Sequence, residues 1–346
     1  YNQFELRKEL SEKNINLKSS SSDTELVIKG YQYWGKSIFE KLDGQFAITI
    51  IDLRINKIYL ARDIFGEKPL FYSIEKDRII IGSELKIFSE FNNKELTVNL
   101  KTLKKYFIYS FIPSPNTIYK NIFKVKHSEY IDINLNNFNV SKHNYYKPKV
   151  IKKNNFKENE FLEELDYLLK DSVKSRLLSD SKIGVFLSGG LDSSIISYYA
   201  AKENKNLESY SISVKEESFD EIHQAKKMSE FFKMKFDHTK LDEDIFKKNF
   251  SKVIGLLDEP IGAPTFIPMF FLSELTSKNV KSVLSGDGAD EFFGGYENFN
   301  YLSIFRIINY LKMNKTISNL KHLINFLPIS RNNLSLDFKL RRFLQG

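Results

Sequence analysis

The chain has 346 residues, 42% hydrophobic and 28% charged, with 52 Lys and Arg against 44 Asp and Glu for a net charge of +8. That length is long for one compact domain and comfortable for two; no apolar run approaches the ~20 residues that cross a bilayer and no signal-peptide pattern opens the chain, so a cytoplasmic protein is expected. The absence of cysteine excludes disulfides, cysteine-ligated zinc and a thiolate nucleophile from these residues.

The first predicted element is a helix over 22–34, with Ser22 or Asp23 as its cap and Leu26, Val27 and Tyr31 on its apolar face. Four short β-branched and apolar runs follow at 45–52, 57–61, 69–74 and 78–82, with a turn at Arg54-Ile55-Asn56 after the first. Short strands separated by polar turns predict an antiparallel meander. A stretch of Lys, Pro and Asn at 146–155 marks the join between two domains, expected at 1–148 and 156–346.

Beyond the join the period changes. Phe161, Leu162, Leu165, Leu168, Leu169 and Val173 recur at helical spacing. Strands are predicted at 183–187, 209–214 and 280–284, and helices at 195–201 and 221–232. Strands alternating with helices argue a parallel α/β sheet. The chain begins at Tyr1 and ends in a charged, helix-like stretch at 337–345, so a piece of a longer protein is expected.

Chemistry concentrates in two glycine-rich clusters. Ser188-Gly189-Gly190-Leu191-Asp192-Ser193-Ser194 lies between a predicted strand and a predicted helix. Its glycines let backbone N–H groups close on an anion, and the helix N-terminus adds partial positive charge. The Ser188, Ser193 and Ser194 hydroxyls are further donors for phosphate oxygens. Asp192 beside a phosphate calls for a cation between them, which makes it a candidate Mg²⁺ ligand. The loop lacks the Lys of the Walker type and matches the signature of enzymes that cleave ATP to AMP and pyrophosphate.

The second cluster, Ser285-Gly286-Asp287-Gly288-Ala289-Asp290-Glu291, directly follows the 280–284 strand. Ligands of open parallel sheets collect at the carboxyl ends of strands, so both clusters are expected at one crevice. Three acids between glycines repel one another without a cation or a positive partner. A third acidic turn, Asp258-Glu259-Pro260, reads equally well as loop punctuation. The basic residues are spread among acids along the whole length, so a solvated surface is the expectation and a nucleic-acid partner is not.

Together these motifs resemble the glutamine-hydrolysing asparagine synthetases. The order of that family is followed by Leu42-Asp43-Gly44-Gln45-Phe46-Ala47, by Ala61-Arg62-Asp63-Ile64-Phe65-Gly66-Glu67-Lys68-Pro69-Leu70, by Gly82-Ser83-Glu84, and by Ile112-Pro113-Ser114-Pro115 with Thr117-Ile118-Tyr119; the two glycine-rich clusters come next. The resemblance implies a class II glutaminase of the N-terminal-nucleophile type, an αββα sandwich, followed by a parallel-sheet α/β ATP pyrophosphatase domain. It implies that Asp23 holds the amino group of glutamine. Phe186 or Leu187, with Ile212, would line the adenine, and Ser285 and Gly286 would contact ATP. Asp287 falls where the family carries an acid needed for the acyl-adenylate, and Asp192 and Asp290 match Mg²⁺ ligands.

The implied reaction is amidation of aspartate through β-aspartyl-AMP, with Mg²⁺ and ATP, and with ammonia from glutamine. Partners are then small molecules, with a homodimer as one assembly the family allows, and neither nucleic acid nor membrane. The family's cysteine nucleophile and its catalytic lysine of the C-terminal region are not among these residues, and the parent protein is expected to supply them. Two other readings stay open: a relative acting on another carboxylate (a sugar acid, a natural product or a β-lactam precursor), and a non-catalytic relative kept for binding.

Overall fold

The computed structural model describes residues 1–92, 95–149, 157–214, 220–296 and 299. The predicted helix-like stretch at 337–345 lies outside them. The chain divides into two compact units, Tyr1–Asn155 with Ser251–Pro264, and Phe156–Phe250 with Thr265–Gly346.

The first unit opens on α1 (Gln3–Glu12), α2 (Asp23–Trp34), a 3-10 turn and α3 (Ile38–Lys41). Of the two candidate caps for α2 the structure selects Ser22, whose hydroxyl accepts the Glu25 N–H at 3.2 Å. Leu26, Val27 and Tyr31 are buried on this helix, as their spacing predicts.

The four runs read as strands become β1 (Ala47–Asp52), β2 (Lys57–Arg62), β3 (Phe71–Ile74) and β4 (Ile79–Gly82). They do not form one meander. After α4 (Lys86–Asn92) and α5 (Leu100–Tyr109) come β5 (Ile122–Lys124), β6 (Glu129–Asn134) and β7 (Val140–Asn144), and the strands sort into two sheets of order β1-β2-β6-β7 and β4-β3-β5. The cause is the turn after β2. The buried Asp63 carboxylate accepts the N–H groups of Phe65, Glu67 and Lys68 at 3.1, 2.9 and 3.0 Å. Arg62 ties the carbonyls of Lys68 and Gly66 to that of Val125. The chain therefore leaves the first sheet here, and β6 takes the edge of β2.

One core lies between the two sheets, built from Ile58, Leu60, Ile131 and Ile133 of the first and Tyr72 of the second, with Leu70 and Val125. A second covers the other face of the first sheet with α1–α3, through Leu10, Leu26, Phe39 and Tyr59. A third joins Phe71, Ile80 and Ile122 of the second sheet to Phe88 and to partly buried Leu103 and Tyr106.

The second unit runs α6 (Glu158–Arg176), β8 (Ile183–Phe186), α7 (Leu191–Glu203), β9 (Glu208–Val214), α8 (Ile222–Phe231), β10 (Lys235–Leu241), α9 (Glu243–Gly255), α10 (Phe266–Thr276), β11 (Ser282–Leu284) and α11 (Ala289–Phe293). The sheet has the order β10-β9-β8-β11, with every described pairing parallel. The chain steps outward from β8 to β9 and β10, then returns to the other side of β8 as β11. β8 and β11 thus flank the point where the winding reverses, the place where open parallel sheets bind ligands.

Candidate functional site

The pyrophosphate-type loop follows β8 directly. Leu187 is buried in the core and donates its N–H to the Tyr210 carbonyl at 2.9 Å, fixing the exit of the strand. Gly189 has φ +84°, and a Cβ there would lie 2.6 Å from the Gln224 Cβ and 2.7 Å from the Ala225 nitrogen. Only glycine fits, because the loop is pressed against the first turn of α8. The sequence announced α8 but not where it lands; no local signal shows that Gln224 and Ala225 wall this loop.

Within the loop the serines brace one another. The Ser188 and Ser193 hydroxyls lie 3.0 Å apart, Ser188 Oγ accepts the Gly190 N–H at 3.2 Å, and Ser193 Oγ accepts the Ser188 N–H at 3.3 Å. α7 starts at Leu191, earlier than the predicted 195, and its N-cap, Gly190, offers no side-chain acceptor. The N–H groups of its first turn therefore have no side-chain cap and carry the partial positive charge of the helix end. Asp192 sits in that turn, and the Ser194 hydroxyl is buried without a hydrogen-bond partner among the described residues.

The acidic glycine loop emerges from β11, whose Leu284 pairs with Val185 of β8. A Cβ on Gly286 would lie 2.8 Å from the Ser193 nitrogen and 3.0 Å from both the carbonyl carbon and the Cβ of Asp192. The two loops are thus in direct contact. Asp287 accepts the Ser285 hydroxyl at 2.9 Å. Asp290 lies in the first turn of α11, close enough to Gly295 that a Cβ there would collide with its Oδ1.

Phe186 ends β8 and packs against the cluster of Tyr210, Leu272 and Val280, while Ile212 lies on the neighbouring β9. Among the described residues no three His, Asp or Glu side chains converge as a metal cage. The donors still suit Mg²⁺ held with a nucleotide, which takes one or two carboxylates and completes its shell with phosphate and water. Neither the Asp192 nor the Asp290 carboxylate has a hydrogen bond or ion pair among the described residues.

In the first unit, Asp23 opens α2 on the wall of a cleft of about 780 Å³ between α2 and β1. Its carbonyl accepts the Tyr1 hydroxyl at 2.7 Å. Further along the same cleft, Arg54 donates to the buried Asp52 carboxylate at 2.9 and 2.6 Å and Tyr31 donates to it at 3.0 Å. The Arg54 guanidinium holds the Asp52 carboxyl well below the usual carboxylate range.

The third acidic turn belongs to the first unit. Glu259 accepts the Ile118 N–H at 2.8 Å and pairs with Lys124. Its carboxylate is committed to that anchor.

A family model for the glutamine amidotransferase domain matches residues 1–146, and one for asparagine synthase matches residues 164–333. The chain belongs to the asparagine synthetase family. Among its relatives, a Methanocaldococcus jannaschii protein described provisionally as a glutamine-hydrolysing asparagine synthetase is 35% identical over 307 residues, covering 86% of this chain and 57% of that protein. Glutamine-hydrolysing asparagine synthetase 1 of Bacillus subtilis is 30% identical over 296 residues, covering 86% of this chain and 46% of that protein. The chain thus spans about half the length of these asparagine synthetase relatives. A glutamine-dependent NAD⁺ synthetase structure from Acinetobacter baumannii aligns with a TM-score of 0.31 at 12% identity, over 85% of this chain and 72% of that one.

Proposed function

We propose that the chain carries the core of an ATP-dependent amidotransferase that converts aspartate to asparagine through β-aspartyl-AMP, with ammonia drawn from glutamine by the complete protein. The observation that carries this reading is the packing of Gly286 against Asp192 and Ser193, at the carboxyl ends of adjacent parallel strands. A triphosphate lying there meets the N–H groups of the α7 start, and a carboxylate substrate beside it meets the Asp287 loop.

The chemistry follows from the leaving group. A carboxylate resists ammonia because oxide would have to depart. Attack of a substrate carboxylate oxygen on the α-phosphorus forms the acyl–phosphate bond and breaks the bond to the β-phosphate, releasing pyrophosphate. Ammonia then attacks the acyl carbon, AMP departs with the bond electrons, and the surplus proton leaves the nitrogen. The first-turn N–H groups of α7 stabilise charge on the departing phosphates. Asp192 and Asp290 are the residues that would hold Mg²⁺, which neutralises phosphate charge when bound. In this reading Phe186 and Ile212 flank the adenine, the alternative Leu187 being 1% exposed in the core, and Ser285 and Gly286 abut the phosphates.

The first unit is read as the class II glutaminase of N-terminal-nucleophile type. Support comes from the amidotransferase match over residues 1–146 and from Asp23 at the cleft. In the complete protein Asp192→Ala should reduce pyrophosphate release at least about a hundredfold while glutamine hydrolysis stays measurable; unchanged pyrophosphate release would remove Asp192 from the site. Competition among carboxylic acids for amide formation from [¹⁵N]ammonia identifies the acceptor. Dominance by a carboxylate other than aspartate would keep the reaction type and replace the substrate.

A further inference from the structure

Asp23 stands on the cleft wall, and its carboxylate makes no hydrogen bond or ion pair among the described residues. The backbone that carries it is held far more tightly. Directly before Asp23 runs Ser19-Ser20-Ser21-Ser22, four small polar residues in neither helix nor strand. Such a run buries no apolar side chain and keeps most of its conformational freedom unless other groups fix it.

Two charged side chains fix it. Arg7 donates from Nη1 to the Ser19 carbonyl and from Nη2 to the Ser22 carbonyl, each at 2.8 Å. The Glu25 carboxylate accepts the Lys18 and Ser19 N–H groups, each at 2.8 Å, which holds its carboxyl below the ordinary range. Neither side chain makes an ion pair among the described residues, so both charges serve the backbone alone. A forked guanidinium and a two-oxygen carboxylate each bind two backbone groups at once, which fixes orientation as well as distance. The loop closes on itself where Ser19 Oγ accepts the Ser22 N–H at 3.0 Å.

Arg7 works from a rigid base. Leu6 and Leu10 of α1 are buried in the same core as Leu26 and Val27 of α2. The Arg7 Nε is buried without a partner, so the two carbonyls alone offset the cost of taking this guanidinium from water. Beyond the loop, the Tyr1 hydroxyl donates to the Asp23 carbonyl at 2.7 Å.

We infer that Arg7 and Glu25 are positioning residues for glutamine: by clamping 18–22 they set how the Asp23 carboxylate enters the cleft. The positioning role rests on reading Asp23 as the group that holds the amino group of glutamine; the clamp does not. Neither Arg7 nor Glu25 lines the cleft. Their loss weakens substrate and transition state alike, which raises KM and leaves kcat in place.

Hydrogen exchange on the full chain tests the clamp. In Glu25→Gln the Lys18 and Ser19 amides should exchange at least about tenfold faster, with the amides of β2 and β6 unchanged. In Arg7→Met the Ser22 amide should do the same. Arg7→Lys keeps the charge and serves one carbonyl, so its effect should be smaller; it carries the comparison if Arg7→Met does not fold. Unaltered exchange in a variant removes that residue from the clamp. Acceleration spread equally over β2 and β6 marks loss of the fold and overturns the clamp.

Positioning is read from glutamine hydrolysis by the complete protein. Arg7→Met and Glu25→Gln should each raise KM for glutamine at least about tenfold while kcat stays within about twofold. Amide formation from ammonium should keep its wild-type rate. Asp23→Asn is the reference and should raise KM at least as much. If it does so while the clamp variants keep the wild-type KM, the positioning role falls and the glutamine reading stands. An unchanged KM in Asp23→Asn overturns the glutamine reading and the positioning role together, and exchange still decides the clamp. Equal loss of kcat with glutamine and with ammonium marks general damage and overturns the positioning role.

Discussion

Asp63 shows how one buried side chain divides a chain into two sheets. It is 1% exposed, and its two oxygens receive N–H groups from Phe65, Glu67 and Lys68, with a longer one from Phe46 at 3.4 Å. Asp63→Asn would place an NH₂ where two of these donors point. It should destabilise the first unit by about 2–4 kcal/mol, seen as a lower urea midpoint with unchanged m-value. Gly286 is the corresponding position at the candidate site. Gly286→Ala must push the 192–193 backbone away, so pyrophosphate release should fall at least about tenfold with little change in melting temperature. Unchanged kinetics would mean that the loops need not touch. Both residues stand in motifs visible in the sequence, but the sequence presented Asp63 only as part of a family pattern, since its partners are amides that any residue could supply.

Elements were legible where burial on one face imposes a period. α2 follows its predicted run because its i, i+3/i+4 residues enter a core, and β2 and β3 follow theirs as short apolar runs buried on both faces. β10 was not foreseen. It is an edge strand reading Lys-Phe-Asp-His-Thr-Lys-Leu, held by pairing to β9 rather than by apolar alternation. α6 errs the other way: its helical spacing is real, yet Phe161, Leu162 and Leu168 are more than half exposed and only Val173 is buried. Removing the α2 cap with Ser22→Ala should cost about 1 kcal/mol, read from the first unit's urea midpoint. At the start of β9, Glu208 accepts Lys182 at 2.6 Å and Tyr210 at 2.5 Å, which draws its pKa down from 4.5 to about 2. A depressed acid stabilises the fold above its unfolded pKa and loses that contribution as pH falls toward the folded value. The second unit should therefore weaken by about 1–2 kcal/mol between pH 4.5 and 2, the lower figure applying where solvent screens the pair, and Glu208→Gln should lose that part of the acid sensitivity.

For the whole molecule, division into two compact units predicts two calorimetric transitions rather than one. Lys124→Met, which strands the Glu259 carboxylate, should lower only the transition assigned to the first unit; a single merged transition moving as one would contradict that independence. The sequence by itself determined where the two glycine-rich candidate loops lie, the alternation that builds a parallel sheet and the family, because glycine turns and buried strands impose local residue patterns. Tertiary structure alone decided that the early strands split between two sheets, that Gly286 touches Asp192, and that residues 251–264 return to the first unit. These are pairings across long stretches of chain, up to 141 residues for Glu259 and Ile118. The first and last are selected by which buried amides and charges must find partners, and the Gly286 contact by close backbone approach, neither of which a local pattern encodes.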